Sequence, residues 1–308
     1  MIDAVALRSL AAVDRLGSVA AAADSLGYTA SAVSQQVKRL EARAGVALLE
    51  KYGRGVMLTE AGRLLAASAH DLLAQMERLE SQLQSTTGRP AGRVRLASFA
   101  TAARGVVAPA LAALRESSPE LEVTLSEAEP WDAVSLVATG QVDLAVVHNW
   151  EPLPLAIPDH LTCRHLGSDY ADVLVHREHP LAGRERVSAA ELAGERWVSV
   201  APGSICHQWL TKMFHDIGRA PRIEHFAAEF ASHIALVAQG LAVALVPRLG
   251  RGELPAGVVA VPVVDPVPTR TVTAVWRRTM GESPALAAVV EALAGAPSSL
   301  VRATGDRS

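Results

Sequence analysis

AAAADSLGYTASAVSQQVKRLE, Ala20–Glu41, is the stretch that decides how the first part of this chain folds. Ser18 offers a hydroxyl to cap a helix over Val19–Leu26, and Gly27 supplies the left-handed backbone that ends it. Tyr28 is the connection, and Thr29 caps a second helix. On that helix Val33, Val37 and Leu40 follow each other at four and three residues and form one apolar stripe. The opposite face carries Ser31, Ser34, Gln35, Lys38 and Arg39, hydroxyls, an amide and cations suited to base edges and phosphates in a major groove. The alanines at 20–23 let the first helix approach the second closely.

The flanks agree with this reading. Ala4–Arg15 is predicted helical, with Leu7, Leu10 and Val13 available to pack under the pair. Ala47–Lys51 and Val56–Thr59 read as two short strands around Tyr52-Gly53-Arg54-Gly55, where the glycines allow a tight hairpin. The result is a winged helix-turn-helix, with Arg54 at the wing tip for a narrow minor groove. From Thr59 to about Gln84 there is no proline and much Ala, Leu, Glu, Gln and Arg, which predicts one long helix. Leu65, Leu72 and Leu79 recur every seven residues, and Ala69, Met76 and Leu83 form a second series offset by four. Such a seam buries itself against a second copy of the helix. Ser85–Pro90 is a linker by composition.

These residues together resemble the amino-terminal domain of the LysR-type transcriptional regulators. The resemblance rests on Ser18–Ala23, Leu26–Ser34, Val37 with Leu40-Glu41, Gly45-Val46-Ala47-Leu48-Leu49 and Leu58-Thr59-Glu60-Ala61-Gly62, roughly the first quarter of the chain. It implies an α/β multidomain protein: a winged helix, a long linker helix, then a two-lobed effector domain like periplasmic solute-binding proteins. It also implies a homodimer or a homotetramer built as a dimer of dimers, which bends double-stranded DNA and answers to a small-molecule effector. Carried over by position, it puts Ala30, Ser31, Ser34, Gln35 and Arg54 at base or groove contacts and Lys38 near the phosphates, with Thr29 and Arg39 on the same surface. Many members carry Gln then Pro where this chain has Ala30 and Ser31; Ala30 cannot hydrogen-bond an adenine, though its methyl can touch a thymine.

At 308 residues the chain has room for more than a DNA-binding module. The expected division is 1–58 for the winged helix, 59–87 for the linker helix, 88–91 for a hinge and 92–308 for the effector domain. Within the last, one lobe takes about 92–155 and 268–295, the other about 161–265, and 296–308 is a flexible tail. A net charge of −3 does not advertise nucleic acid, but Arg8, Arg15, Lys38, Arg39, Arg43, Lys51 and Arg54 concentrate cations in one domain. No run of eighteen apolar residues and no basic-then-apolar start are present, so a cytoplasmic protein without a membrane partner is expected. The two cysteines, Cys163 and Cys206, are too few for a disulfide framework and too far apart for a CxxC motif. They read as buried thiols; peroxide sensing, known in one branch of the resembled family, requires the two sulfurs to meet.

From Gly92 strands and helices alternate. Strands are predicted at Arg93–Ala97, Leu121–Leu125 and Asp143–Val147 and helices at Thr101–Glu116 and Val134–Thr139, a βαβαβ run with a parallel sheet. After the proline-rich Trp150–Pro158 come strands at Leu161–Leu166, Ala171–Val175, Trp197–Val200 and Ala242–Val246, and helices at Cys206–Ile217 and Ala231–Ala238. Thr271–Trp276 and Pro284–Leu293 return to the first lobe, and crossovers near Val147–Leu161 and Pro262–Thr271 act as hinges.

Ligands of open α/β sheets bind outside the carboxyl ends of the strands. That places Ser98-Phe99-Ala100-Thr101 in the first lobe and the Ser204-Ile205-Cys206-His207 loop in the second at the cleft, joined by Glu129, Trp131, His148, Asn149, Glu229 and Phe230. Hydroxyls and helix starts suit a carboxylate, while Glu129, Glu229, His148 and His207 suit a cationic or donating group. An amino acid or organic acid satisfies both. No G-x-S-x-G, P-loop, G-x-G-x-x-G or H-E-x-x-H motif is present, so no enzyme, cofactor or metal is expected. His176 and His179, three apart, precede Pro180 in a loop that needs no metal.

Overall fold

In the computed structural model, which describes residues 3–53, 55–86, 88–296 and 300, the first four helices all begin on a side-chain cap. α1 (Ala4–Leu16) starts at Asp3, α2 (Val19–Leu26) at Ser18, α3 (Ala30–Ala44) at Thr29 and α4 (Glu60–Ser85) at Thr59. Each cap oxygen accepts a first-turn N–H at 3.0–3.1 Å. Leu7, Leu10 and Val13 of α1 meet Ala22 and Ala23 of α2 and Val33, Val37 and Leu40 of α3 in one core. β1 (Leu49–Tyr52) and β2 (Gly55–Leu58) form the antiparallel wing.

The wing starts later than Ala47. The N–H groups of Leu48 and Leu49 go to the Glu41 carboxylate at 2.9 and 3.0 Å, and the Ala47 carbonyl accepts the Thr59 hydroxyl at 2.8 Å. Thr59 is therefore a cap and not the end of a strand. Gly62 has its own reason: a Cβ there would lie 2.1 Å from the Leu48 carbonyl oxygen, so only glycine lets α4 pass the wing.

α4 is one helix of 26 residues, as predicted, but its two heptad series do not make one continuous open seam. Ala69 is fully buried and Leu65 packs against the same winged-helix core. These two face α1 of their own chain. The open apolar stripe is Leu72, Met76, Leu79 and Leu83, 45–60% exposed.

β3 (Gly92–Ser98), β4 (Leu121–Glu127) and β5 (Leu144–Trp150) are parallel in the order β4-β3-β5. α5 (Ala100–Ala102), a π-helical turn (Ala103–Val107) and α6 (Ala108–Ser117) follow β3, and α7 (Pro130–Ala138) follows β4. Along β5 the side chains alternate between two cores, Leu144 and Val146 on one face, Ala145 and Val147 on the other. Both faces are covered, which is why this strand reads as an unbroken apolar run.

The expected break between Leu166 and Ala171 is absent: β6 (Leu161–His176) is a single strand of 16 residues. Its first part pairs with β12 (Thr269–Arg277), its second with β11 (Val258–Val264) and β10 (Ala244–Pro247). β6 therefore runs from one lobe into the other, and β7 (Val187–Ser188) closes the sheet beside β11. The polar Gly167-Ser168-Asp169 does not interrupt it because Asp169 finds a buried partner. Pro262 lies inside β11 opposite Asp172, so the return crossover is shorter than expected and spans the residues between Val264 and Thr269. β8 (Arg196–Ser199) and β9 (Arg222–Phe226) form a separate parallel pair, carrying α8 (Ile205–His215) and α9 (Phe230–Ala238). α10 (Pro284–Gly295) packs on the first lobe, and Ala296 and Leu300 of the expected tail are buried in that lobe's core.

Candidate nucleic-acid interface and interlobe cleft

On α3 the buried stripe leaves Thr29, Ala30, Ser31, Gln35, Lys38 and Arg39 exposed and Ser34 half-buried. Gln36, between them, turns inward and accepts the buried Ser9 hydroxyl of α1. Glu41 ties the far end of α3 to the wing through its two backbone bonds. The presented face is thus held by polar contacts to its own unit at mid-helix and at its far end. Arg54 lies outside the described residues.

The cleft is organised by a residue that the strand pattern concealed. Arg270 on β12 is 1% exposed and paired with the fully buried Asp169 of β6 at 2.7 Å. A second N–H of its guanidinium goes to the Thr101 hydroxyl at 2.7 Å. Its charge lies 5.0 Å from the centre of the Phe99 ring and 5.7 Å from that of Trp150. His148 stands edge-on to Phe99 at 4.4 Å, its Nδ1 without a partner among the described residues. Phe99, Thr101 and His148 are therefore brought together around Arg270, while Arg270, Asp169 and Trp150 escaped the sequence reading. A signal existed: Arg270 is in phase with Val272 and Ala274 on the buried face of an alternating strand.

The lobes are tied at this point. Asp169 also accepts the Leu249 N–H at 3.0 Å, and the Leu249 side chain enters the first lobe's core. The Arg104 guanidinium donates to the Gly250 carbonyl at 3.0 Å. Beside them a small cavity of about 20 Å³ is lined by Trp150, Ser199, Cys206, Phe230 and His233. That is room for about one water.

Several expected site residues have structural work instead. The Ser98 hydroxyl is buried and donates to the neighbouring Phe99 carbonyl. Ser204 caps α8, accepting from the His207 N–H at 3.3 Å, and Ile205 belongs to the second lobe's core. The His207 ring meets the Ser199 hydroxyl at 3.3 Å. Ala100 and Asn149 are half-buried, and Trp131 and Glu229 exposed. Glu129 has its pKa raised by desolvation, then by Asp132, with the Arg270 charge opposing. His179 pairs with Glu195 at 3.1 Å, and no three metal-ligating side chains gather among the described residues.

Titration follows from burial. Desolvation, then the Arg270 charge, holds His148 well below its ordinary 6.5, and desolvation lowers His233 against its bond to the Ala227 carbonyl. The unfolded chain takes up these protons near pH 6.5 while the folded one stays neutral. The stability is fully present above about pH 6.5 and is lost as the pH falls below it. His148→Phe is expected to flatten this loss, read as urea midpoints between about pH 7.5 and 5.5. Desolvation also raises both thiols: Cys163, on the exposed side of β6, and Cys206, where Arg270 and the Trp150 N–H oppose it. Neither is in the thiolate-favouring surroundings of a reactive cysteine.

Two family descriptions match the chain: "Bacterial regulatory helix-turn-helix protein, lysR family" over residues 5–63 and "LysR substrate binding domain" over 87–297. Among similar proteins, the regulator TtuA of Agrobacterium vitis is 30% identical over 74% of each chain. A hydrogen peroxide-inducible genes activator of Pectobacterium carotovorum is 28% identical over 83% of this chain and 84% of its own. A full-length OxyR variant from Pseudomonas aeruginosa shares the fold with a TM-score of 0.69 at 19% identity, covering 96% of each chain. CbnR bound to its target DNA shares it with a TM-score of 0.55 at 22% identity, covering 94% and 98%.

Proposed function

The chain belongs to the LysR family of bacterial transcriptional regulators, with a DNA-binding and an effector-binding domain, and from that premise we propose how its residues divide the work. α3 enters the major groove with Ser31, Ser34 and Gln35 toward base edges and Lys38 and Arg39 toward phosphates. The observation that carries this is the polar face of α3, left open while its apolar stripe is buried and its middle and far end are secured. Ala30 offers a methyl only, so Ser34 and Gln35 carry more of the discrimination. Gln35→Ala is expected to weaken operator binding by about 1–3 kcal/mol. Lys38→Ala is expected to weaken all sequences alike and to lower the salt slope by about one. Fluorescence anisotropy with operator and scrambled duplexes at two salt concentrations separates the two; equal losses on both duplexes for Gln35→Ala would remove its role in base reading.

The open stripe Leu72, Met76, Leu79, Leu83 supports pairing through α4, so the chain acts in the cytoplasm as a homodimer or a dimer of dimers on paired half-sites. Leu79→Lys is expected to shift the assembly one step toward monomer in sedimentation velocity, and an unchanged sedimentation coefficient would move the interface elsewhere.

The effector is a small organic acid or amino acid whose carboxylate meets the Arg270 guanidinium, with Glu129 placed for a donating group. Opening the lobes enlarges the cavity beside Trp150 and Cys206; closing them on the ligand alters how subunits pack and how recognition helices sit on DNA. Calorimetric titration with amino acids and aromatic acids tests this, and no saturable binding in either class defeats it. In this reading the chain performs no catalysis, and its thiols do not form the peroxide-driven disulfide.

A further inference from the structure

We propose that the cavity enclosed by the DNA-binding unit, the linker helix and the first lobe is a second ligand site, for a small anion bearing at least two acidic oxygens. The cavity measures about 410 Å³, within the range of about 300–1,000 Å³ for small-molecule sites. It shares no lining residue with the interlobe cavity. Its lining includes Arg8 from α1, Glu80 and Ser81 from α4, and Arg93 from β3.

Much of the charge around this cavity is already committed. Arg95 holds Asp143 at 2.6 Å, and Glu77 accepts from Arg277 at 2.8 Å and from the Thr279 hydroxyl. The Ser283 hydroxyl donates to Gln84 at 2.9 Å. Ser81 is 5% exposed, and its hydroxyl makes no hydrogen bond among the described residues. A buried hydroxyl left without a protein partner calls for one from an ordered water, an ion or a ligand. The exposed side chains of Arg8, Arg93 and Glu80 make no hydrogen bond or ion pair among the described residues.

The unspent groups are two guanidiniums, one hydroxyl and one carboxylate. Two guanidiniums, one from α1 and one from β3, match an anion with at least two acidic oxygens, because each presents a planar fork of donors. Glu80 then receives a hydroxyl or ammonium group of the same ligand. Such a ligand bridges α1, α4 and β3. It would set the DNA-binding unit against the first lobe, so anion and operator affect each other's affinity equally.

The test is calorimetry on the full-length chain at constant ionic strength with citrate, inorganic phosphate and glycerol 3-phosphate. At least one probe is expected to bind saturably, and the arm that binds tells a carboxylate ligand from a phosphorylated one. Arg8→Gln and Arg93→Gln are each expected to weaken that binding at least tenfold, and Ser81→Ala severalfold, with thermal midpoints of the free variants unchanged. His233→Gln, in the interlobe cavity, is expected to leave it intact. Absence of saturable heat from all three probes overturns the proposal. So does binding that survives both arginine variants, or that is lost in His233→Gln, since the anion then sits in the cleft.

Discussion

Replacing Arg270 by methionine is expected to destabilise the effector region by about 3–5 kcal/mol, because it leaves the Asp169 carboxylate buried without its countercharge. Asp169 is fully buried, and its other bond, to the Leu249 N–H, cannot neutralise it. The loss should appear as a lowered urea midpoint of the full-length protein. Arg270→Met combined with Asp169→Leu should be much milder than Arg270→Met alone, since exchanging both ions for apolar groups removes the unpaired charge. If the double variant is as unstable as the single one, lost packing over Phe99 and Trp150 accounts for the effect, and the ion pair does not. Effector binding should fail even in a restored double variant, because the carboxylate has lost its guanidinium.

The second large effect is expected at Gly250. Its φ is +65°, and an added Cβ would stand 2.3 Å from the Thr101 carbonyl oxygen. A left-handed backbone costs a residue with a side chain roughly 1–2 kcal/mol. Forcing backbone apart adds about 1–3 kcal/mol. Gly250→Ala should therefore lose about 2–5 kcal/mol and separate the Leu249 loop from α5. Because Thr101 both faces Gly250 and accepts from Arg270, the two variants share a partner and should not add. Urea midpoints of both single variants and the pair measure the coupling; strict additivity would show that the two contacts are separate.

Much of the architecture was legible because its causes are local. Ser18, Thr29 and Thr59 cap the turns immediately after them, and Gly27 ends the helix immediately before it. The βαβαβ run was equally readable from apolar strands separated by helices. The reading failed where polar residues were taken at face value. Gly167-Ser168-Asp169 and Pro262 look like breaks, yet both lie within strands because the neighbouring strand supplies a charge partner or tolerates a missing donor. Ser98 and Ser204 look like ligand contacts, yet their hydroxyls satisfy nearby backbone. Leu65 and Ala69 continue a heptad, but the seam turns them toward α1 before any second chain can meet them.

By itself, then, the sequence determined the winged helix, the long linker helix and the class of the second domain, since caps, glycines and apolar spacing act within a few residues of themselves. Only the tertiary structure decided which polar groups meet between the lobes. Arg270 reaches Asp169 across 101 residues and Thr101 across 169. Strand order and the passage of β6 between the lobes bring them together, and no local pattern encodes that meeting.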